Sequence, residues 1–176
     1  MNFAIRRILP TEGERLAQIR LAALLESPSA FGSTYAREVA FTPDDWAERA
    51  RVSATGNERV TFFAFNEAAV GPRANVRPVG LVGAYRLDDE PEAIDLVSMW
   101  TAPEARRHGV GLGLVTAVIA WAKLLHVRTI TLCVMPGNEA ALALYARLGF
   151  VPTTEGQPLA LDLCQGEVRM HLFLPR

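Results

Sequence analysis

The residues best suited to chemistry lie in one run, Arg106-Arg107-His108-Gly109-Val110-Gly111-Leu112-Gly113. The run follows an apolar stretch that stops at Pro103 and opens the most hydrophobic helical segment of the chain. A helix N-terminus leaves its first N–H groups without partners and carries roughly half a positive charge, while glycines let a ligand approach the backbone. Two arginines ahead of the glycines add fixed positive charge in a geometry that suits phosphate oxygens. The run therefore reads as a site for a phosphate or pyrophosphate. It is not a triphosphate loop, because Leu112 follows Gly111 and Leu114 follows Gly113 where Lys-Ser or Lys-Thr is required. It is a poor dinucleotide turn as well: counted from Gly109 or Gly111, the third glycine falls on Leu114 or Thr116.

What the run resembles is the acetyl-coenzyme A loop of the GNAT acetyltransferase superfamily: an arginine, two residues, glycine, one residue, glycine, here Arg106 to Gly111. A strand ending in Thr101-Ala102-Pro103 before it and an apolar helix after it strengthen the likeness. A second stretch, Asn138-Glu-Ala-Ala-Leu-Ala-Leu-Tyr145-Ala-Arg-Leu-Gly-Phe150, resembles the other recurrent motif of the family. Asn138 and Tyr145 stand seven residues apart, so on a helix they share one face. Arg107 replaces a frequent glycine and Thr101 a frequent valine, both compatible with binding through the backbone.

The resemblance implies roles. Arg106, Arg107, His108, Gly109, Val110, Gly111 and Leu112 would cradle the pyrophosphate, although His108 also reads as a solvated loop residue. Backbone groups of Met99, Trp100 and Thr101 would pair with the pantetheine arm like an added strand. An N–H near Met99 would hold the thioester carbonyl and the oxyanion that grows on it. Asn138, an N-cap on its own merits, would also bond the cofactor arm or order a water. Tyr145 would protonate the leaving thiolate; read alone, it is a core tyrosine. An amine acceptor must lose a proton, and Asp95 stands eleven residues before Arg106, where some family members place a catalytic glutamate. By alternation Asp95 shares a face with Val97, Met99 and Thr101. Glu38 and Glu92 are lesser candidates that read as solvated.

Around these residues the chain must supply a scaffold. At 176 residues, half of them hydrophobic and 21% charged, it is long enough for one sizeable core and reads as a single domain, 1–176. A net charge of −1 disfavours a nucleic-acid or membrane partner. Cys133 and Cys164 show no metal-like spacing, Cys133 reading as a buried structural thiol, and three scattered histidines indicate no metal site. The first residues lack the apolar core of a secretion signal, and the apolar run 109–122 falls short of the roughly 18 residues that span a bilayer. The expectation is a soluble, cytoplasmic protein.

Read in order, Phe3 to Leu9 is an edge strand ended by Pro10, and Thr11 with Glu14 forms a capping-box pattern for a helix that stops at Ser27-Pro28. The segment 29–35 has no period; its Phe31, Ser33 and Tyr35 are candidate acceptor-pocket residues. Thr42 and Pro43 open a second helix. Strands follow at 59–66, 78–87 and 92–101, with a loop at 70–75. An apolar helix over 113–125 and a strand over 127–135 make a crossover, so the strands flanking that helix should be parallel neighbours. A helix over 139–148 closes on Gly149, and strands at 150–152 and 167–174 flank a loop, 156–166.

The fold class expected is α/β (α+β): the GNAT acyl-CoA N-acyltransferase fold, a mixed sheet of about seven strands with helices on both faces. The function expected is acetyl-CoA-dependent N-acetylation of a small-molecule or peptide amine, with acetyl-CoA as cosubstrate and no metal. The acceptor's identity, acyl length and dimerisation stay open. The alternatives are a non-catalytic acyl-CoA-binding regulatory module and a hydrolase using Cys133 as nucleophile, the latter disfavoured because no histidine has reason to stand beside it.

Overall fold

The computed structural model describes residues 2–66, 76–153 and 166–175. The expected loop at 70–75, Cys164, and the loop at 156–166 apart from Gly166 lie outside the described residues. Seven strands form one sheet: β1 (Phe3–Arg7), β2 (Arg59–Asn66), β3 (Gly80–Arg86), β4 (Ala93–Thr101), β5 (Thr129–Val134), β6 (Val151–Pro152) and β7 (Val168–Phe173). Their spatial order is β1-β2-β3-β4-β5-β7-β6. Every neighbouring pair is antiparallel except β4 with β5, the pair joined by a helical crossover.

Among the described residues, five helices accompany the sheet: α1 (Gly13–Glu26), the one-turn α2 (Tyr35–Glu38), α3 (Pro43–Ala54), α4 (Val110–Leu124) and α5 (Glu139–Arg147). Local signals account for several of their ends. Thr42 and Asp45 form a reciprocal capping box with Pro43 in the first turn of α3. Asn138 caps α5 by accepting the Ala141 N–H at 3.1 Å, and Gly149 just past its end has φ +90°, a conformation that glycine alone adopts without strain. The box expected at Thr11 does not form. Glu12 is the N-cap of α1, and its carboxylate is taken by Arg6, Arg15 and the Leu9 N–H. Segment 29–35, read as irregular, gives one 3-10 turn (Pro28–Ala30) before α2.

The sheet has two covered faces. A Cβ on Gly80 would meet Leu114 and Val110, and one on Gly113 would meet Ile5, so Ile5, Ala64, Gly80 and Thr101, paired across β1 to β4, look toward α4. On the opposite face, α1 and α3 cover Phe63, Leu81 and Trp100; the Trp100 indole N–H donates to Glu26 of α1 at 3.0 Å. Leu114, Val115 and Val118 of α4 are completely buried, as a helix apolar nearly all round must be. Among the described residues, no helix is long and apolar enough to cross a membrane.

Candidate active site

The site begins where two parallel strands part. β4 and β5 pair only at Ala93/Thr129, Ile94/Ile130 and Asp95/Thr131. Beyond Asp95, β4 continues to Thr101 bonded to β3 alone, and β5 continues to Val134 bonded to β7 alone. One edge of each strand is thereby left without a strand partner along the opening.

A bulge in β4 sets which side chains look into each face. Leu81 pairs with Trp100 but Gly83 pairs with Val97, so Val82 stands against both Ser98 and Met99, and Ser98 has φ +57°. The extra residue inverts the alternation expected from the sequence. Asp95 does not share a face with Met99 and Thr101. Asp95 and Val97, with their partners Tyr85 and Gly83, lie on the α1/α3 face, whereas Met99 and Thr101 reach the first turn of α4.

On the α4 face stands the anion-binding run. After the Pro103–Ala105 turn, Arg107 and Gly109 adopt left-handed backbone with φ +63° and +87°, turning the chain into α4 at Val110. No side chain caps this helix, and the first N–H bonded back into it is that of Gly113, to the Gly109 carbonyl at 3.0 Å. Gly111 stands in a narrow place: a Cβ there would come within 2.7 Å of Met99 Cε and 3.2 Å of Leu144 Cδ2 of α5. Thr101 Oγ1, close to the same point, is buried without a hydrogen-bond partner among the described residues. An uncapped helix start, an orphaned hydroxyl and a glycine-wide slot together suit a slender, phosphate-bearing ligand with polar groups along its length.

Arg106 is the member of the run whose side chain is already engaged. Its guanidinium donates to the Thr101 carbonyl at 3.0 Å and to Glu26 at 2.6 Å, tying the end of β4 to α1. Hydrogen bonds from Arg106, then Ser27 and Trp100, hold the Glu26 carboxyl at a pKa of about 2. Arg107 and His108 are exposed on the turn. Tyr145 is buried and meets Phe150 edge to face, with ring centroids 5.6 Å apart. Burial alone pushes its phenol above the ordinary tyrosine range, so it keeps its proton.

On the other face, Asp95 sits at the apex of the opening. It is 5% exposed and accepts hydrogen bonds from Thr131 Oγ1 at 2.9 Å and from the Tyr85 hydroxyl at 3.2 Å. Burial raises its pKa, the dominant effect, against the lowering influence of those two bonds. The Tyr85 phenol is pushed up to about 12 by its own burial and by the Asp95 charge. Beside this pair a cavity of about 130 Å3 opens between β2–β4 and α1/α3, lined among others by Arg20, Arg49, Arg59, Thr61, Tyr85 and Ser98.

Phe31, Ser33 and Tyr35 are not among the residues that line this cavity, but two of them support it. Phe31 lies under the Arg20 guanidinium at 4.7 Å, and Ser33 hydrogen-bonds Glu38. Glu38, expected to be solvated, is 2% exposed and paired with Arg20 at 2.8 Å and Arg49 at 3.2 Å; the buried Arg20 and the exposed Arg49 hold the carboxylate between them. Glu92 is exposed, as expected. Cys133, expected as a buried thiol, is half-buried and is not a free thiol, which removes it as a nucleophile. Tyr85, Ser98 and the three arginines were not singled out from the sequence; only Tyr85, two residues beyond Gly83 on a strand, carries a local signal for its face.

Residues 25–150 match the model of the acetyltransferase (GNAT) family. The chain belongs to this family. Solved structures agree in fold. A GNAT-family acetyltransferase from Streptococcus pneumoniae superposes with a TM-score of 0.75 at 20% identity, covering 98% of this chain and 100% of that one. A GNAT-superfamily phosphinothricin acetyltransferase from Sinorhizobium meliloti, solved in complex with acetyl-CoA, gives 0.73 at 18%, covering 99% and 89%. A PaiA N-acetyltransferase from Thermoplasma acidophilum, in complex with coenzyme A, gives 0.69 at 13%, covering 99% and 100%. No curated protein matches the sequence. In this GNAT protein the crossover β4-α4-β5 lies within the matched residues.

Proposed function

We propose that this GNAT protein is an acetyl-CoA-dependent N-acetyltransferase acting on a primary amine. The observation that carries the reading is the parting of β4 from β5 beyond Asp95, with an uncapped helix start on one face of the sheet and a cavity beside a buried acid on the other. Acetyl-CoA, when bound, would supply an activated acyl thioester.

Backbone N–H groups from Arg107 to Leu112 would hold its diphosphate, and the strand edge at Met99, Trp100 and Thr101 would pair with the amides of its arm. Thr101 Oγ1 would gain the partner it lacks. Asn138 has its carbonyl oxygen committed to the cap and retains its amide N–H groups for the same arm. The acceptor would enter from the α1/α3 face. Asp95, hydrogen-bonded to Tyr85, takes up the proton the acceptor nitrogen gives up, directly or through a water. Tyr145, on the other side, is a phenol that remains protonated at neutral pH and holds a proton at Oη for the departing sulfur.

The test combines acetyl-CoA titration with thioester consumption over a panel of amines. Calorimetric binding together with amine-dependent release of free thiol is the expected result. Binding with no consumption under any amine indicates a regulatory module, and no binding at all refutes the cofactor assignment. Tyr145→Phe should lower kcat about a hundredfold or more if the phenol is the acid, and intact turnover removes it from that role.

A further inference from the structure

The cavity on the α1/α3 face has a one-sided charge. Three arginines line it, Arg20 from α1, Arg49 from α3 and Arg59 from β2, and among the described residues no acidic one does. The carboxylate that meets them, Glu38, lies behind the wall and serves two of them at once: Arg20 through Nε and Nη2, and Arg49 through Nη1. Arg20 also donates to Ser98 at 3.3 Å on the bulge of β4. The described lining therefore carries three positive charges, with two carboxylates, Glu38 and Asp95, set behind it.

The donors are also in surplus. A guanidinium has five N–H groups. Arg49 donates one hydrogen bond, to Glu38, and Arg59 donates none from its side chain among the described residues. Each is nevertheless held in place by aromatic rings. Arg49 lies 5.0 Å from the Phe41 centroid and 5.1 Å from that of Trp46, and Arg59 lies 5.4 Å from that of Tyr85. Stacking occupies the guanidinium faces and leaves the N–H edges available, the arrangement suited to planar recognition of carboxylate or phosphate oxygens. The hydroxyl of Tyr85, whose ring supports Arg59, bonds Asp95. A ligand held by the arginines would thus have its other end near the proposed base.

We infer that the acceptor is a small amine that also bears an anionic group, a carboxylate or a phosphonate-type acid, which Arg49 and Arg59 bind while its amine is directed toward Asp95. A polyamine or an aminoglycoside-like polycation would meet three guanidinium groups with no carboxylate among the described lining residues to receive it. The cavity, about 130 Å3 or roughly ten times what one water requires, fits a small metabolite. This inference rests on the acetyltransferase reading and narrows it to a substrate class.

The experiment uses the full chain with matched acceptors: α-amino acids and aminoalkylphosphonates, against simple amines of the same length and diamines. Acetyl-CoA binding is first established by thermal protection; its failure counts against the acetyltransferase reading itself. With acetyl-CoA bound, anionic amines are expected to bind in calorimetry and to be acetylated with the higher kcat/KM. Arg59→Met and Arg49→Met should each raise their KM about tenfold or more, the worth of a charge-assisted hydrogen bond, with the KM for acetyl-CoA unchanged. Arg59→Lys should recover part of the loss and Arg59→Glu should deepen it. Preferential turnover of cationic or neutral amines overturns the inference. So does absence of binding of every anionic amine to the acetyl-CoA complex, or arginine variants that leave the anionic-to-neutral preference within about twofold of the parent.

Discussion

Replacing Glu38 by glutamine should unlock the wall of the cavity and cost the fold more than any surface change. Glu38 and Arg20 are 2% and 9% exposed in their side chains, with Arg20 Nε and Nη2 both directed at the carboxylate. Breaking one partner of a buried ion pair leaves the other desolvated and unpaired, a loss of about 3–5 kcal/mol. Glutamine keeps one acceptor oxygen and nearly the same volume, so the lower end, about 3 kcal/mol, is the expectation. In a chain of this length that corresponds to a fall in Tm of roughly 6–12 °C. Urea titration should show the midpoint falling with an unchanged slope, since the surface exposed on unfolding does not change. The Arg20→Met, Glu38→Leu double variant should recover much of the loss, because two apolar side chains of similar volume leave no buried charge unpaired, Arg49 being 46% exposed and solvated. A Glu38→Gln cost below about 1 kcal/mol, or a double variant no better than the sum of its singles, refutes the claim that this pair is buried and coupled.

Further predictions follow from the same geometry. Gly111→Ala should weaken acetyl-CoA about tenfold or more while changing the stability of the free protein by less than about 1 kcal/mol, because the new methyl meets flexible ends of Met99 and Leu144 rather than backbone; the comparison is the Tm with and without ligand. For Asp95, burial raises the pKa, so a rate that needs its carboxylate should decline as pH falls through a midpoint above the ordinary value of 3.8, and Asp95→Asn should abolish that limb in a pH–rate profile. Acid stability is governed with the opposite sign. Burial would raise Glu12, but the hydrogen bonds of Arg6, Leu9 and Arg15 bring it down to about 2, and Glu26 is held at about 2 by Arg106. Their contribution is complete above the unfolded value of 4.5 and lost as pH falls toward 2, so Glu12→Gln should flatten the acid limb of a stability-versus-pH curve.

Much of the scaffold was legible because its signals act between near neighbours. Strand β2 runs over 59–66 as its run of β-formers implied, while Thr42 and Asn138 cap the helices they precede and Gly149 ends α5 through bonds three or four residues long. The parallel pairing of β4 with β5 followed from a helix too long for any hairpin. The glycine run likewise announced an uncapped helix start without any knowledge of what packs around it.

Tertiary structure decided what those signals cannot carry. Alternation assumes one residue per pleat, and the bulge at Ser98 breaks that count, so Asp95 and Met99 fall on opposite faces of the same strand. Arg106 is tied to Glu26, eighty residues earlier, and Glu38 is drawn into the interior by arginines from two other helices. The cavity is made by Arg20, Arg49 and Arg59, ordinary charged residues on three elements, whose convergence depends on strand register and helix packing. A chain written in one dimension specifies which bonds each short segment can satisfy within itself. Which distant charges then meet is fixed only when the sheet closes its register and the helices bury their apolar faces against it.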